Sequence, residues 1–307
     1  MPPHLANRAD RDSRGVAVID SHVHLYPPEL NAAPRAWATA NDEAHWALLC
    51  TRRRRDGRAV QGFPSVDELL RELDRAGISR AVLLGWYWEN PATCAWQNRF
   101  FAACVRAHAD RFDAFATIHP GAGLEPVLGE IERARDEGLI GLGELSPHAQ
   151  AYAIDDPVFG AVLERAGEWR MPVNLHVTDP AGRSYPGRVA TPLGDFVQLA
   201  RAFPRTNFIL AHWGGLLPWR DSGAGAAIHP NIYYDTAASP LLYDADVWSR
   251  VLPAVGADRV LFGSDYPLEL YPRSPAPSGL GQFVAEARAG GADAAVMGGN
   301  AARLFKG

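Results

Sequence analysis

The stretch VAVIDSHVHLYPP, Val16 to Pro28, sets both the fold and the chemistry expected of this chain. Val16, Val18 and Ile19 have the apolar, β-branched character of a short buried strand, and prolines close the run. Successive side chains on a strand point to opposite faces, so His22 and His24 project from the same side. Each neutral imidazole at a buried strand end needs a hydrogen-bond partner. That makes the pair a costly core and a natural beginning for a metal site.

Seven further β-type runs follow outward from this one. They are RAVLLGWYW from Arg80, FDAFATIHP from Phe112, LIGLGELSP from Leu139, MPVNLHVTDP from Met171, NFILAHWGG from Asn207, NIYYDTAAS from Asn231 and RVLFGSDYP from Arg259. Amphipathic stretches between them predict helices over 65–76, 91–109, 124–137, 157–169, 192–203 and 245–255. Ser65, with Glu68 three places on, reads as a helix N-cap. Strands that alternate with helices favour a parallel sheet wrapped by helices, and no linker or shift of composition divides this chain. The expectation is an α/β fold: a single (β/α)8 TIM barrel over residues 16–307, preceded by a flexible tail over 1–15. Leu25 to Pro64 is too long for an ordinary βα loop and predicts a lid-like insertion after strand 1. GGADAAVMGGNAARLFKG reads as a terminal helix against the barrel wall.

The bulk numbers narrow the class. With 47% hydrophobic and 21% charged residues, the 307-residue chain reads as a globular enzyme, neither disordered nor membrane-embedded. A formal charge of -5 argues against nucleic-acid binding, which rests on clustered cations. The one basic run, Arg52 to Arg55, is most simply a solvated loop, with a role in holding a phosphate or carboxylate as the alternative. Three cysteines without zinc or redox spacing, and an N-terminus lacking an apolar segment, suggest a cytoplasmic protein with no membrane association. The expected partner is a small-molecule substrate, with a homo-oligomer possible.

In such barrels the reactive groups sit at the C-terminal strand ends. Here those ends carry His22 and His24, His119, Glu144, His176, His212, Asp235 and Asp265, in strand order and with none at strand two. The set His22, His24, Glu144, His176, His212 and Asp265 is read as metal ligands. Asp235 either orients a ligand histidine or sits in an exposed loop.

DSHVH, GLGELSP, PVNLHVTDP, ILAHWGG, LFGSDYP and GNAARLF resemble the amidohydrolase superfamily from about Val16 to the C-terminus. AHWGG, GSDYP and GNAARLF are most similar to the branch holding aminocarboxymuconate-semialdehyde decarboxylase and related hydrolases. The resemblance implies that His22, His24 and Asp265 bind one divalent metal. It leaves His176 and His212 either to hold a second metal, or to divide as ligand and catalytic group. The GE pair, Gly143 and Glu144, departs from the decarboxylase pattern and is similar to the bridging Glu of TatD-type members. Two ions are therefore expected, with zinc, iron or manganese all suited to the ligands. The alternative is a Glu144 that only orients a ligand.

Asp265, with His212, is the expected proton carrier. The expected substrate wall holds Trp86, Trp88, Trp213 and Tyr266, with Tyr87 and Trp219 beside them, and His119 and His148 as assisting groups. Arg183, Arg188 and Arg273 fall in mouth loops, where a guanidinium can clamp a carboxylate. The leading expectation is hydrolysis of an amide, ester or lactone by metal-activated water. Nonoxidative decarboxylation of an aromatic or unsaturated acid is the alternative, and non-haem diiron oxygenation is a third.

Overall fold

The computed structural model describes residues 17–217, 229–274 and 279–306; the expected tail and Trp219 lie outside them. Eight parallel strands follow one another in order: β1 (Val18–Val23), β2 (Ile78–Leu83), β3 (Phe112–Ala116), β4 (Gly141–Leu145), β5 (Val173–Leu175), β6 (Phe208–Leu210), β7 (Ile232–Asp235) and β8 (Val260–Leu261). The first and last strands meet through backbone bonds, Ser21 N–H to Phe262 O at 2.8 Å and His24 N–H to Tyr266 O at 2.7 Å. This is the (β/α)8 barrel that alternating runs predict. The later strands are shorter than their apolar runs, with three residues in β5 and in β6 and two in β8. The chain leaves the ladder there, and the residues that follow turn into the mouth.

Ile19, Val82, Phe115, Ile209 and Leu261 come from five different strands yet form one buried cluster. Strands so far apart around the ring meet only through its interior. Ala301 and Leu304 of the last helix (Asn300–Leu304) join this cluster and close that end of the barrel. Full burial of each large aliphatic or aromatic side chain contributes roughly 1.5–3 kcal/mol. A larger cluster fills the layer between the strands and the outer helices.

The predicted helices form with ends displaced by at most two residues. In Val66–Ala76 the capping box is present: Ser65 Oγ accepts from Glu68 N–H, and Glu68 accepts from Ser65 N–H at 2.8 Å. A helix over Leu280–Ala289 was not predicted. The segment after β1 does form a cap, from α1 (Pro28–Ala32), α2 (Pro34–Ala40), α3 (Ala44–Cys50) and a hairpin. Its own core of Tyr26, Trp37, Trp46 and Phe63 packs on Trp88. Buried Glu43 pins it down by accepting from the N–H groups of Glu89 and Asn90 at 2.8 and 3.1 Å. Among the described residues no helix is long and apolar enough to cross a membrane. All three cysteines are free and buried.

Candidate metal centre

Six of the predicted side chains converge at the mouth. His22, His24 and Asp265 form one group and Glu144, His176 and His212 another, the ligand atoms of each lying within 4.8 Å of one another. Glu144 lies between the groups. Its Oε2 is 3.5 Å from His24 Nε2 and 3.9 Å from His22 Nε2, while its Oε1 is 2.9 Å from His176 Nδ1 and 3.8 Å from His212 Nε2. One carboxylate thus offers one oxygen to each group.

Backbone geometry delivers these side chains. Gly143 has φ 137°, and a Cβ there would lie 2.7 Å from Asn174, so only glycine lets β4 approach β5 closely before Glu144. His212 and Trp213 sit in left-handed conformation at φ 57° and 56°. Each such residue costs roughly 1–2 kcal/mol. The cost is offset locally by His212 N–H donating to Asp235 at 3.0 Å and Tyr243 Oη–H donating to His212 O at 3.1 Å. Asp265, at φ 68°, turns its carboxylate back over β1, where its Oδ1 is 3.5 Å from His24 Nε2.

The outer nitrogens of three histidines are already engaged. His22 Nδ1 lies 2.9 Å from Asp235, His24 Nδ1 3.2 Å from Leu84 O, and His212 Nδ1 3.1 Å from Ala237 O. Such partners fix the tautomer that leaves Nε2 with a lone pair for coordination. The Nε2 atoms of His22 and His24 then face each other at 3.2 Å. Two lone pairs at that separation repel, and a cation between them, a proton on His22 or a metal in its place, removes the conflict. The donor set therefore fits a divalent metal, and the position of Glu144 fits a pair.

Charge agrees with this. Burial disfavours a protonated His22, yet the charge and bond of Asp235, with Glu144 and Asp265 nearby, raise its pKa to about 10. Burial likewise opposes ionised Glu144, but His176, His24 and His22 hold it well below the usual carboxylate range. His212 is lowered by burial and by His176. Buried carboxylates in this number make the centre a well for positive charge. Asp235 is buried behind it, accepting from His22, Asn174, His212 and Ala237, so the orienting reading of this residue fits and the exposed-loop reading is corrected.

A cavity of about 1030 Å³ opens over the donors, bordered by Trp86 and Tyr87. Trp86 stacks on Tyr87 at 4.4 Å and meets His24 edge-on at 5.2 Å, as a substrate wall would. The other predicted wall residues are elsewhere, which corrects the sequence reading. Trp88 is fully buried and donates to Gln97 at 2.6 Å. Trp213 is swung behind the strands by the left-handed turn and donates to Ser239 at 2.7 Å. Tyr266 does not border the cavity. His119 accepts from Gly121 N–H as a cap, and His148 pairs with Asp195 at 2.8 Å. Arg183, Arg188 and Arg273 do border it, and so do Arg52, Arg54 and Tyr185, which sequence reading did not place there.

Comparison with solved structures gives the same architecture. The chain matches 5-carboxyvanillate decarboxylase from Sphingomonas paucimobilis with TM-score 0.70 at 21% identity, over 95% of this chain and 99% of that one. For 2,6-dihydroxybenzoate decarboxylase from Rhizobium the TM-score is 0.65 at 19% identity, over 94% and 98% of the two chains. A third, 5-carboxyvanillate decarboxylase from Novosphingobium aromaticivorans with manganese and 4-hydroxy-3-methoxy-5-nitrobenzoic acid, gives 0.71 at 15% identity, over 96% and 97%. The family model Amidohydro_2, described as amidohydrolase, matches residues 19–307 and so takes in every predicted ligand. The chain belongs to the amidohydrolase family.

Proposed function

We propose that this enzyme catalyses nonoxidative, metal-dependent decarboxylation of an aromatic acid. The observation that carries the reading is the cavity: stacked Trp86 and Tyr87 on one side, arginines at its border and the donor cluster at its base. That combination suits a flat ring bearing a carboxylate, and the similar solved barrels include decarboxylases of ring acids. Hydrolysis, the leading expectation from sequence, takes second place.

His22, His24 and Asp265 would hold the metal, with Glu144, His176 and His212 holding a second. A bound divalent cation supplies charge stabilisation to a substrate oxygen. The aromatic wall then keeps the ring in place and excludes water from it. Asp265 is 14% exposed and borders the cavity, whereas His22 and Glu144 are nearly inaccessible, so of these three its carboxylate is the one best placed to meet a substrate. In the proposed reaction Asp265 first takes a proton from solvent and passes it to the ring carbon that bears the carboxylate; the bond between that carbon and the carboxyl carbon then breaks, its electron pair returns to the ring, and carbon dioxide leaves.

The second reading, hydrolysis, is favoured by one observation, the division of the Glu144 oxygens between two donor groups. A carboxylate placed this way suits a binuclear centre that activates water. One assay separates the readings. Manganese-loaded protein is given hydroxybenzoates alongside aryl esters and lactones in H₂¹⁸O. Carbon dioxide release supports decarboxylation, and ¹⁸O in a carboxylate product supports hydrolysis instead. Turnover only by the ferrous form with oxygen uptake overturns both. Asp265→Asn should lower the rate by at least about 10², the usual scale for a proton-transferring group, with metal partly retained.

A further inference from the structure

His176 meets the donor cluster by a different ring nitrogen from the other three histidines. Its Nδ1 lies 2.9 Å from Glu144 Oε1 and 3.4 Å from His212 Nε2, while its Nε2 lies 3.3 Å from Thr178 Oγ1. With 16% of its side chain exposed, against 8% or less for His22, His24 and His212, it is also the most open of the four toward the cavity. A neutral imidazole has one N–H and one lone pair. When Nδ1 gives its lone pair to a cation, Nε2 carries the hydrogen, and Thr178 Oγ1 is the acceptor beside it.

Thr178 is held in place independently of its hydroxyl. Its N–H donates to Thr191 Oγ1 at 2.8 Å, and the Thr191 hydroxyl donates back to Thr178 O at 3.4 Å, which pins together the two ends of the loop after β5. Both threonines are buried. Between them the loop carries Tyr185 to the border of the cavity, where its hydroxyl bonds with Thr178. Burial raises the Tyr185 pKa against the charges of Arg188 and Arg52 and against that bond, and Asp265 adds to the rise, so the phenol keeps its hydrogen. A hydroxyl has a single hydrogen to donate. Once Thr178 accepts from His176, its own hydrogen goes to Tyr185 Oη, and the hydrogen of Tyr185 is left for the contents of the cavity. Donors in series polarise one another in the same direction.

We propose that Thr178 and Tyr185 form a relay of donors from His176 to the substrate, in which Thr178 is the positioning residue of His176 and Tyr185 donates to a substrate oxygen. This rests on the cavity being the substrate cavity, as proposed above. The relay ends on an oxygen acceptor of the ring acid, in its carboxylate or in a ring hydroxyl, held on the β5 side of the donor cluster.

Manganese titration of the metal-free protein, and calorimetry at saturating manganese with benzoate and phenol as probes, test this. Thr178→Val should weaken at least one step of manganese binding ~10- to 100-fold, because His176 loses the partner of its outer nitrogen, and Thr178→Ser should restore it. Tyr185→Phe should leave manganese binding unchanged and weaken a probe ~10-fold, the scale of one charge-assisted hydrogen bond. Loss with benzoate ends the relay on the carboxylate, and loss with phenol ends it on a ring oxygen. The relay shows in non-additivity: with Thr178→Val already present, Tyr185→Phe should cost no more than about twofold. Tyr185→Phe keeps the test decisive even where Thr178→Val folds poorly. Unchanged manganese binding in Thr178→Val, unchanged binding of both probes in Tyr185→Phe, or additive losses in the pair overturns the relay. No probe needs to react. An intact relay without carbon dioxide release from any acid therefore overturns the reaction alone, and release without the relay overturns the relay alone.

Discussion

The backbone N–H of Asp265 donates to the carbonyl of His22 at 2.8 Å, so the seam that joins the two ends of the sheet also joins two members of the first donor group. The spacing between these ligands is set by a ladder bond. Side-chain packing needs only to orient them.

Asp235 supports the same group from behind, with Oδ2 2.9 Å from His22 Nδ1 and 3.0 Å from Asn174 Nδ2. Asp235→Asn should weaken metal binding about 10- to 100-fold, because the imidazole loses the partner that fixes its tautomer. Titration of the metal-free variant measures this. An unchanged dissociation constant would show that Asp235 does not set the ligand.

Glu144→Gln bears on metal count. Two ions per chain in the wild type should fall to one or fewer in the variant, because a neutral amide offsets repulsion between two cations poorly. Metal content by mass spectrometry on the purified proteins decides it. A fully active wild type with a single ion would falsify the bridging role.

Glu43 sets a pH dependence away from the donors. Burial, with a contribution from the charge of Glu89, raises its pKa from 4.5 to about 7 against the N–H bonds of Glu89 and Asn90 and a bond from Thr93. A carboxyl raised in the fold binds more protons there than in the unfolded chain. Its contribution to stability therefore falls as pH rises from about 4.5 to about 7. Glu43→Gln should flatten that slope in thermal melts across this range, and parallel slopes in the two proteins would count against it.

Much of the barrel was legible because strand and helix periods differ along the chain. The donor cluster was legible because strand ends carry chemistry in such folds. Aromatic placement was not. Trp86 and Trp88 sit two apart after β2, yet one borders the cavity and the other is buried under the cap. Irregular backbone there breaks the alternation that a sequence can show. Trp213 was misplaced because its left-handed conformation has no marker in the residue itself; only the following glycines hint at it. The hairpin of the cap did have a signal. Asp56-Gly57 is a hairpin turn pair, and the two-residue spacing of Arg52 and Arg54 assigns one face.

The closing seam also bears on how the protein is made. Ser21 and Phe262, bonded across it, are 241 residues apart in sequence. While the ribosome has delivered only the first seven strands, His22 and His24 are present but Asp265 is not. A growing chain therefore completes the group of Glu144, His176 and His212 before that of His22, His24 and Asp265, whose last member arrives only beyond the eighth strand. A metal held by His22, His24 and Asp265 would span the closing seam and so favour the finished barrel over precursors that lack the last strand.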